Sequence, residues 1–224
     1  LQTHPTIKVI AKFPEKVNFE GMGVPTHQVK EFAPDFSFGC SISSKSSLAL
    51  AMLDHPEHMQ EVEKNWGEMA MYYAMIVPKG NGVIRNFPFF SDPFVKYNLT
   101  ECDIELLAKA LRNLCLLLFE AGAESIYPGI RGFGALKGMD DINRIPRLLP
   151  RDKTSIMTIH LMSSCPMGED EKVCATDSFG KVYGFDNLYI NDGSLLCSAP
   201  GVNPQGSIMA IALRNANHFL ENLA

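Results

Sequence analysis

The sequence predicts an α+β fold, with hairpins and helices over residues 1–150 and a strand–turn–helix segment over 151–224. Three stretches carry that prediction. Thr6 to Phe13 alternates Ile7, Val9, Ala11 and Phe13 on one face, the period of two that marks a half-buried strand. Ile104, Leu107, Ala108, Leu111, Cys115 and Leu118 recur at helical spacing. Leu188 to Ile190 reads as a short apolar strand ending on Asn191-Asp192-Gly193-Ser194. Asn203-Pro204 then opens a last helix, because asparagine is a favoured N-cap and proline a favoured first helical residue.

The remaining elements follow in order. Glu20-Gly21-Met22-Gly23 turns the chain, and Thr26 to Phe32 is predicted to pair back as a strand. Ala33 to Ser47 is expected as a loop over a hydrophobic surface. Leu48 to Leu53 suits one or two helical turns, and Glu57 to Trp66 reads as helix, with Pro56 at its start and Gly67 at its stop. Glu68 to Val77, rich in Met, Tyr, Ile and Val, is expected as a strand. The turn residues Pro78 to Gly82 lead back into Val83 to Phe90, which predicts a hairpin. Thr100 and Asp103 form a weak capping box for the long helix, and Gly122 closes it. Gly129 to Gly138 is loop, and Asp140 to Leu149 suits more than one structure.

Composition limits the function classes. The chain of 224 residues has 46% hydrophobic and 20% charged residues, which belongs to a globular protein. Its formal net charge of −5 argues against a nucleic-acid partner, which would want a basic face. No stretch approaches the roughly 18 apolar residues of a membrane span. The 6 cysteines are scattered, so buried free thiols in a reducing, cytoplasmic setting are expected. Cys165 and Cys174 beside His160 do not have zinc-ligand spacing, and no metal is expected. No G-x-S-x-G appears, so a serine hydrolase is not expected either. Met69, Met71 and Met75 fall on one strand face and are expected in the core rather than as a ligand cage.

The segment from Ile159 reads I-H-L-M-S-S-C-P-M-G, later N-D-G-S, then A-P-G-V-N-P-Q-G-S-I. It resembles the C-terminal signature of the glucose–methanol–choline family of FAD-dependent oxidoreductases: a loop H-x-x-G-x-C-x-M-G, a strand ending in D-G/A-S, and a turn G-V-N-P-x-x-T/S-I opening the last helix. His160, Cys165, Met167, Gly168, Asp192, Gly193, Ser194, Gly201, Asn203, Pro204 and Ser207 fall in register. Ser163 stands where the family usually has glycine. If that position needs a positive φ, serine is strained there. The likeness is strongest after His160 and modest before it, where T-H-P-T-I-K-V and A-G-A-E-S-I-Y-P contribute.

The resemblance implies a function. Residues 1–150 correspond to a substrate-binding domain with a largely antiparallel sheet, and 151–224 to the C-terminal segment that completes an FAD-binding domain. The family's G-x-G-x-x-G is not found here, and Gly21-Met22-Gly23 lacks the context for one. With Leu1 as its first residue, the chain is expected to be part of a longer flavoprotein. Alone it is expected neither to hold FAD tightly nor to be active. The cofactor implied is FAD, and the reaction is oxidation of an alcohol to a carbonyl.

Candidate roles follow residue by residue. His160 is the candidate general base, since a group with an ordinary pKa of about 6.5 accepts a proton near neutral pH. A hydrogen-bonded core histidine is the alternative. Asn203 has two readings, capping the last helix or orienting the substrate oxygen. The sterol and choline oxidase branches carry asparagine at this position, which leans the substrate towards a sterol or long-chain alcohol over a sugar. Asn203, Pro204 and Gln205, at the positive helix end, and Asp192 and Gly193, at the strand end, are expected to contact the cofactor. A non-catalytic domain that binds a small ligand or a partner through the same helix end is the rival reading.

Overall fold

A computed structural model of the chain describes residues 1–23 and 25–222. Its strands are β1 (Gln2–Thr3), β2 (Thr6–Lys12), β3 (Gln28–Val29), β4 (Phe36–Cys40), β5 (Met69–Ile76), β6 (Asn81–Arg85), β7 (Phe94–Asn98), β8 (Ser125–Pro128), β9 (Ile156–Met157) and β10 (Leu161–Met162). Its helices are α1 (Lys45–Ala51), α2 (Met59–Asn65), α3 (Glu101–Glu120) and α4 (Gln205–Glu221). The fold is mixed α+β, and every named strand pair is antiparallel.

The chain groups into two compact units, one of Leu1–His4, Val77–Thr100 and Thr158–Ala224, the other of Pro5–Ile76 and Glu101–Met157. The sequence placed one boundary at 150/151, but the structure divides the chain at Met157/Thr158 and sends two earlier pieces to the C-terminal unit. Pairing explains both differences. Ile156 and Met157 still ladder onto β2, so the sheet keeps them. β1 pairs with β10 and Gly82 N–H donates to Leu1 O (2.8 Å), so residues 1–4 and the β6–β7 hairpin belong with residue 158 onwards.

The larger unit is built on a sheet of order β3-β4-β5-β2-β8, with β9 also on β2. β2 is nearly dry on both faces: Ile7, Val9, Ile10 and Ala11 are buried, so its apolar residues run beyond strict alternation. Ile10, Met69, Met71 and Tyr127 form a core with Leu48 of α1 and Val62 of α2. Met75 is buried as well, so the methionines are core. α3 buries Ile104, Leu107, Ala108, Leu111, Cys115 and Leu118, the stripe read from the sequence, together with Leu114. Glu101 and Asp103 in its first turn suit the positive end of the helix dipole. At its other end Gly122 takes φ +94°, and Ala123 N–H closes on Leu118 O (3.0 Å).

Four local expectations need correction. Residues 36–40, expected as loop, form β4 against β5. The Tyr73 ring lies over Gly39, its cross-strand partner, and stands in for the missing side chain, so the glycine does not break the strand. The strand over Thr26 to Phe32 shrinks to the two residues of β3. The predicted hairpin does not form either. Both edges of β5 are occupied, by β2 and β4, and β6 pairs instead with β7 across Ser91-Asp92-Pro93. Leu188 to Ile190 is not a strand: only an isolated bridge links Tyr189 to Lys181. Val182 N–H donates to Leu188 O and Ile190 N–H to Gly180 O, too few bonds for a ladder.

Candidate active site

The C-terminal unit assembles its chemistry from chain segments far apart in sequence. In the β1–β10 pair Gln2 faces Met162 and Thr3 faces Leu161. The next rung of that antiparallel register sets His4 opposite His160. Their Nδ1 atoms lie 2.9 Å apart, with the rings edge-on at a centroid distance of 5.0 Å. His4 is fully buried, and its Nε2 lies 2.6 Å from the carbonyl oxygen of Pro200. His160 is half-buried, and its backbone N–H donates to Thr158 Oγ1 (3.1 Å). Burial pushes the His160 pKa down to about 4, with the neighbouring His4 charge adding to the shift. Burial also lowers His4, partly offset by the Pro200 carbonyl.

The loop after His160 keeps the conformation expected of a glycine. Ser163 has φ +62°, and its buried Oγ has no hydrogen-bond partner. Beyond it, Cys165 N–H donates to Ser194 O (3.1 Å), Met167 N–H to Leu195 O (3.0 Å) and Gly168 N–H to Thr176 O (3.0 Å). The His160 loop is therefore laid along the Asp192-Gly193-Ser194 turn. A side chain at Gly168 would meet Cys174 Sγ at 2.7 Å, so the glycine permits that close approach.

That turn is held on the last helix. The exposed Asp192 carboxylate accepts from Ser194 N–H (2.8 Å), which fixes the bend. A Cβ on Gly193 would lie 3.1 Å from Ile208 Cδ1 and 3.3 Å from Leu161 O, so β10, the turn and α4 converge there. Asn191 Nδ2 donates to Ala212 O, and Asn215 Nδ2 to Asn191 Oδ1, both at 3.2 Å, which clamps the turn onto α4. The helix begins one residue later than the sequence suggested. Its N-cap position is Pro204 rather than Asn203, with φ −80° and ψ −4° and no side-chain cap. Its first ladder bond runs from Ile208 N–H to Pro204 O (2.9 Å), which leaves the N–H groups of Gln205, Gly206 and Ser207 ahead of it. Pro204 is buried, while Asn203 and Gln205 are exposed.

The structure thus gathers His160, Asp192, Gly193 and the start of α4 into one unit. His4, Asn191 and Asn215 were missed by the sequence reading. The signal for His4 was only its T-H-P context, 156 positions from its partner. Gly193 lets the turn pack directly on Ile208 of α4, and the N–H groups at the start of that helix could hold an anionic cofactor group. Among the described residues no cluster of three or more His, Cys, Asp or Glu could hold a metal ion. A cleft of about 260 Å³ on the flank of α4 is lined by Phe179, Tyr189, Asn215 and His218 and does not include His160.

The architecture is antiparallel α+β, with a histidine loop laid on a D-G-S turn that packs against the last helix. The chain belongs to the GMC oxidoreductase family, whose sequence pattern matches residues 87–212. It is 36% identical over 223 residues to an uncharacterized GMC-type oxidoreductase of Sinorhizobium fredii, covering 99% of this chain and 44% of that protein. It is 26% identical over 245 residues to the long-chain-alcohol oxidase FAO1 of Arabidopsis thaliana, covering 99% of this chain and 32% of that protein. In fold it is similar to the crystal structure of pyridoxine 4-oxidase from Mesorbium loti, with a TM-score of 0.59 and 15% identity, over 98% of this chain and 43% of that one. The chain spans less than half the length of each of these proteins.

Proposed function

We propose that the chain is the C-terminal part of an FAD-dependent oxidoreductase that converts an alcohol CH–OH group to a carbonyl, with His160 as the general base. One observation carries this reading: His160 is held at the head of a loop whose backbone is bonded to the turn that packs against the last helix. FAD, when bound, supplies the hydride acceptor. With its pKa lowered, the His160 ring is neutral at neutral pH and has a lone pair for the hydroxyl proton, as a weaker base than the ordinary imidazole the sequence led one to expect. Asn203, exposed beside the helix start, orients the substrate oxygen. It cannot act as a base at this pH, which leaves proton acceptance to His160. The N–H groups from Gln205 onwards offer positive potential to the cofactor's negative end, worth on the order of 0.3–1 kcal/mol when exposed. Asp192 and Gly193 contact its ribityl or pyrophosphate part.

A long-chain or sterol-like alcohol is the proposed substrate class, supported by Asn203 and by similarity to a protein named for long-chain alcohols. Residues 151–224 complete the FAD-binding domain in this reading, and 1–150 supply most of the substrate domain. The full-length protein should show the visible absorbance of an oxidised flavin, bleached anaerobically by such an alcohol. A colourless protein would favour a ligand- or partner-binding role instead.

A further inference from the structure

We propose that His4 is a positioning residue that fixes the tautomer of His160, so that Nε2 of His160 presents its lone pair to the substrate hydroxyl. The inference rests on the reading of His160 as the base and deepens it. Pro200 O can only accept, so the 2.6 Å contact requires the hydrogen of neutral His4 to sit on Nε2. The Nδ1 of His4 is then bare. Facing it at 2.9 Å is Nδ1 of His160, which must donate. With its single hydrogen committed to Nδ1, neutral His160 carries its lone pair on Nε2.

The arrangement is rigid where it needs to be. His4 is fully buried and follows directly on β1, and His160 directly precedes β10, so the pairing of the two strands brings the histidines face to face. Burial disfavours the charged form of His4. A protonated His4 would aim Nδ1–H at His160 and force the latter's hydrogen onto Nε2, where no base would remain. When His160 takes the hydroxyl proton on Nε2, it becomes an imidazolium and its Nδ1–H bond to His4 becomes charge-assisted. No proton leaves His4. The role resembles that of a third group orienting a catalytic histidine, here played by a second imidazole instead of a carboxylate. Pro200 also lies in the loop that leads to Asn203, so one buried ring ties the base to the segment carrying the other candidate catalytic side chain.

The test uses the full-length protein and three variants. His4→Phe keeps the ring's size and removes the acceptor, whereas His4→Asn restores an acceptor oxygen near the position of Nδ1. The expected result for His4→Phe is a fall of about 10- to 100-fold in kcat for alcohol oxidation with KM little changed, as for other groups that orient a reacting ligand from behind. His4→Asn should recover most of that loss. Nitrogen-15 NMR of the histidine rings should show His160 as the Nδ1–H tautomer in the wild type and in His4→Asn, and a tautomer mixture in His4→Phe. A wild-type rate in folded His4→Phe, or an Nε2–H tautomer at His160 in the wild type, would overturn the proposal. His160→Ala separates the two readings. If it stays fully active the base assignment fails, while the NMR tautomer still decides whether His4 orders the ring. Should His4→Phe not fold, the wild-type tautomer and the His4→Asn rate decide alone.

Discussion

Ser163 shows how much one atom can cost. At φ +62° a Cβ crowds the following carbonyl, a penalty of about 1–2 kcal/mol, and the serine also buries a hydroxyl without a partner. Replacing Ser163 with glycine should therefore raise the unfolding free energy by about 1 kcal/mol, after the entropy glycine regains in the unfolded chain is subtracted. Denaturant titration of the two proteins checks it, and a lower midpoint would contradict it. The folded pKa of His160, about 4, lies below the ordinary 6.5, so between those values the unfolded chain binds more protons. Its contribution to stability is complete above about pH 6.5 and declines as pH falls towards 4. Alcohol-driven reduction should likewise stay level from about pH 8 to about pH 5 and fall only near 4. A limb near pH 6.5 would mean an unshifted imidazole. The motif made His160 legible in sequence, as well as the strain at Ser163. His4 was not legible, because two-residue strands such as β1 and β10 carry no period to read.

Among elements, those with long patterns were legible and those defined by pairing were not. α3 shows its apolar stripe and its glycine stop in the sequence, and the structure keeps both. Leu111→Ala on that helix should cost about 2–5 kcal/mol, measured by denaturant unfolding. A cost under about 1 kcal/mol would mean that the helix is not packed as described. β4 was hidden because serine and glycine in F-S-F-G-C look like loop until Tyr73 covers Gly39. The false hairpin after β5 came from strong turn residues, read without knowing that both edges of β5 were occupied. α4 raises a further question. Its Met209, Leu213 and Leu220, at helical spacing, are more than 60% exposed. If the chain completes an FAD-binding domain as proposed, the remainder of that domain would cover this stripe. Leu213→Glu in the full-length protein should then lower the yield of flavin-loaded protein, read from the ratio of visible to ultraviolet absorbance. Full loading would place the stripe at the surface.

At the scale of the molecule, the chain's two discontinuous units match less than half the length of relatives that are oxidoreductases by name. Family and fold class were legible because the C-terminal motifs are dense and specific. The division into units was not, because it depends on β1 and the β6–β7 hairpin joining a segment that follows them by many residues. No helix among the described residues is long and apolar enough to cross a membrane. In the proposed reaction one imidazole acts as the base. Stopped-flow reduction of the flavin in the full-length protein by a long-chain primary alcohol, wild type against His160→Gln, tests it most directly. The rate should fall by about 10²–10⁴ in the variant while the flavin remains bound, and an undiminished rate in a folded, flavin-loaded variant would contradict it.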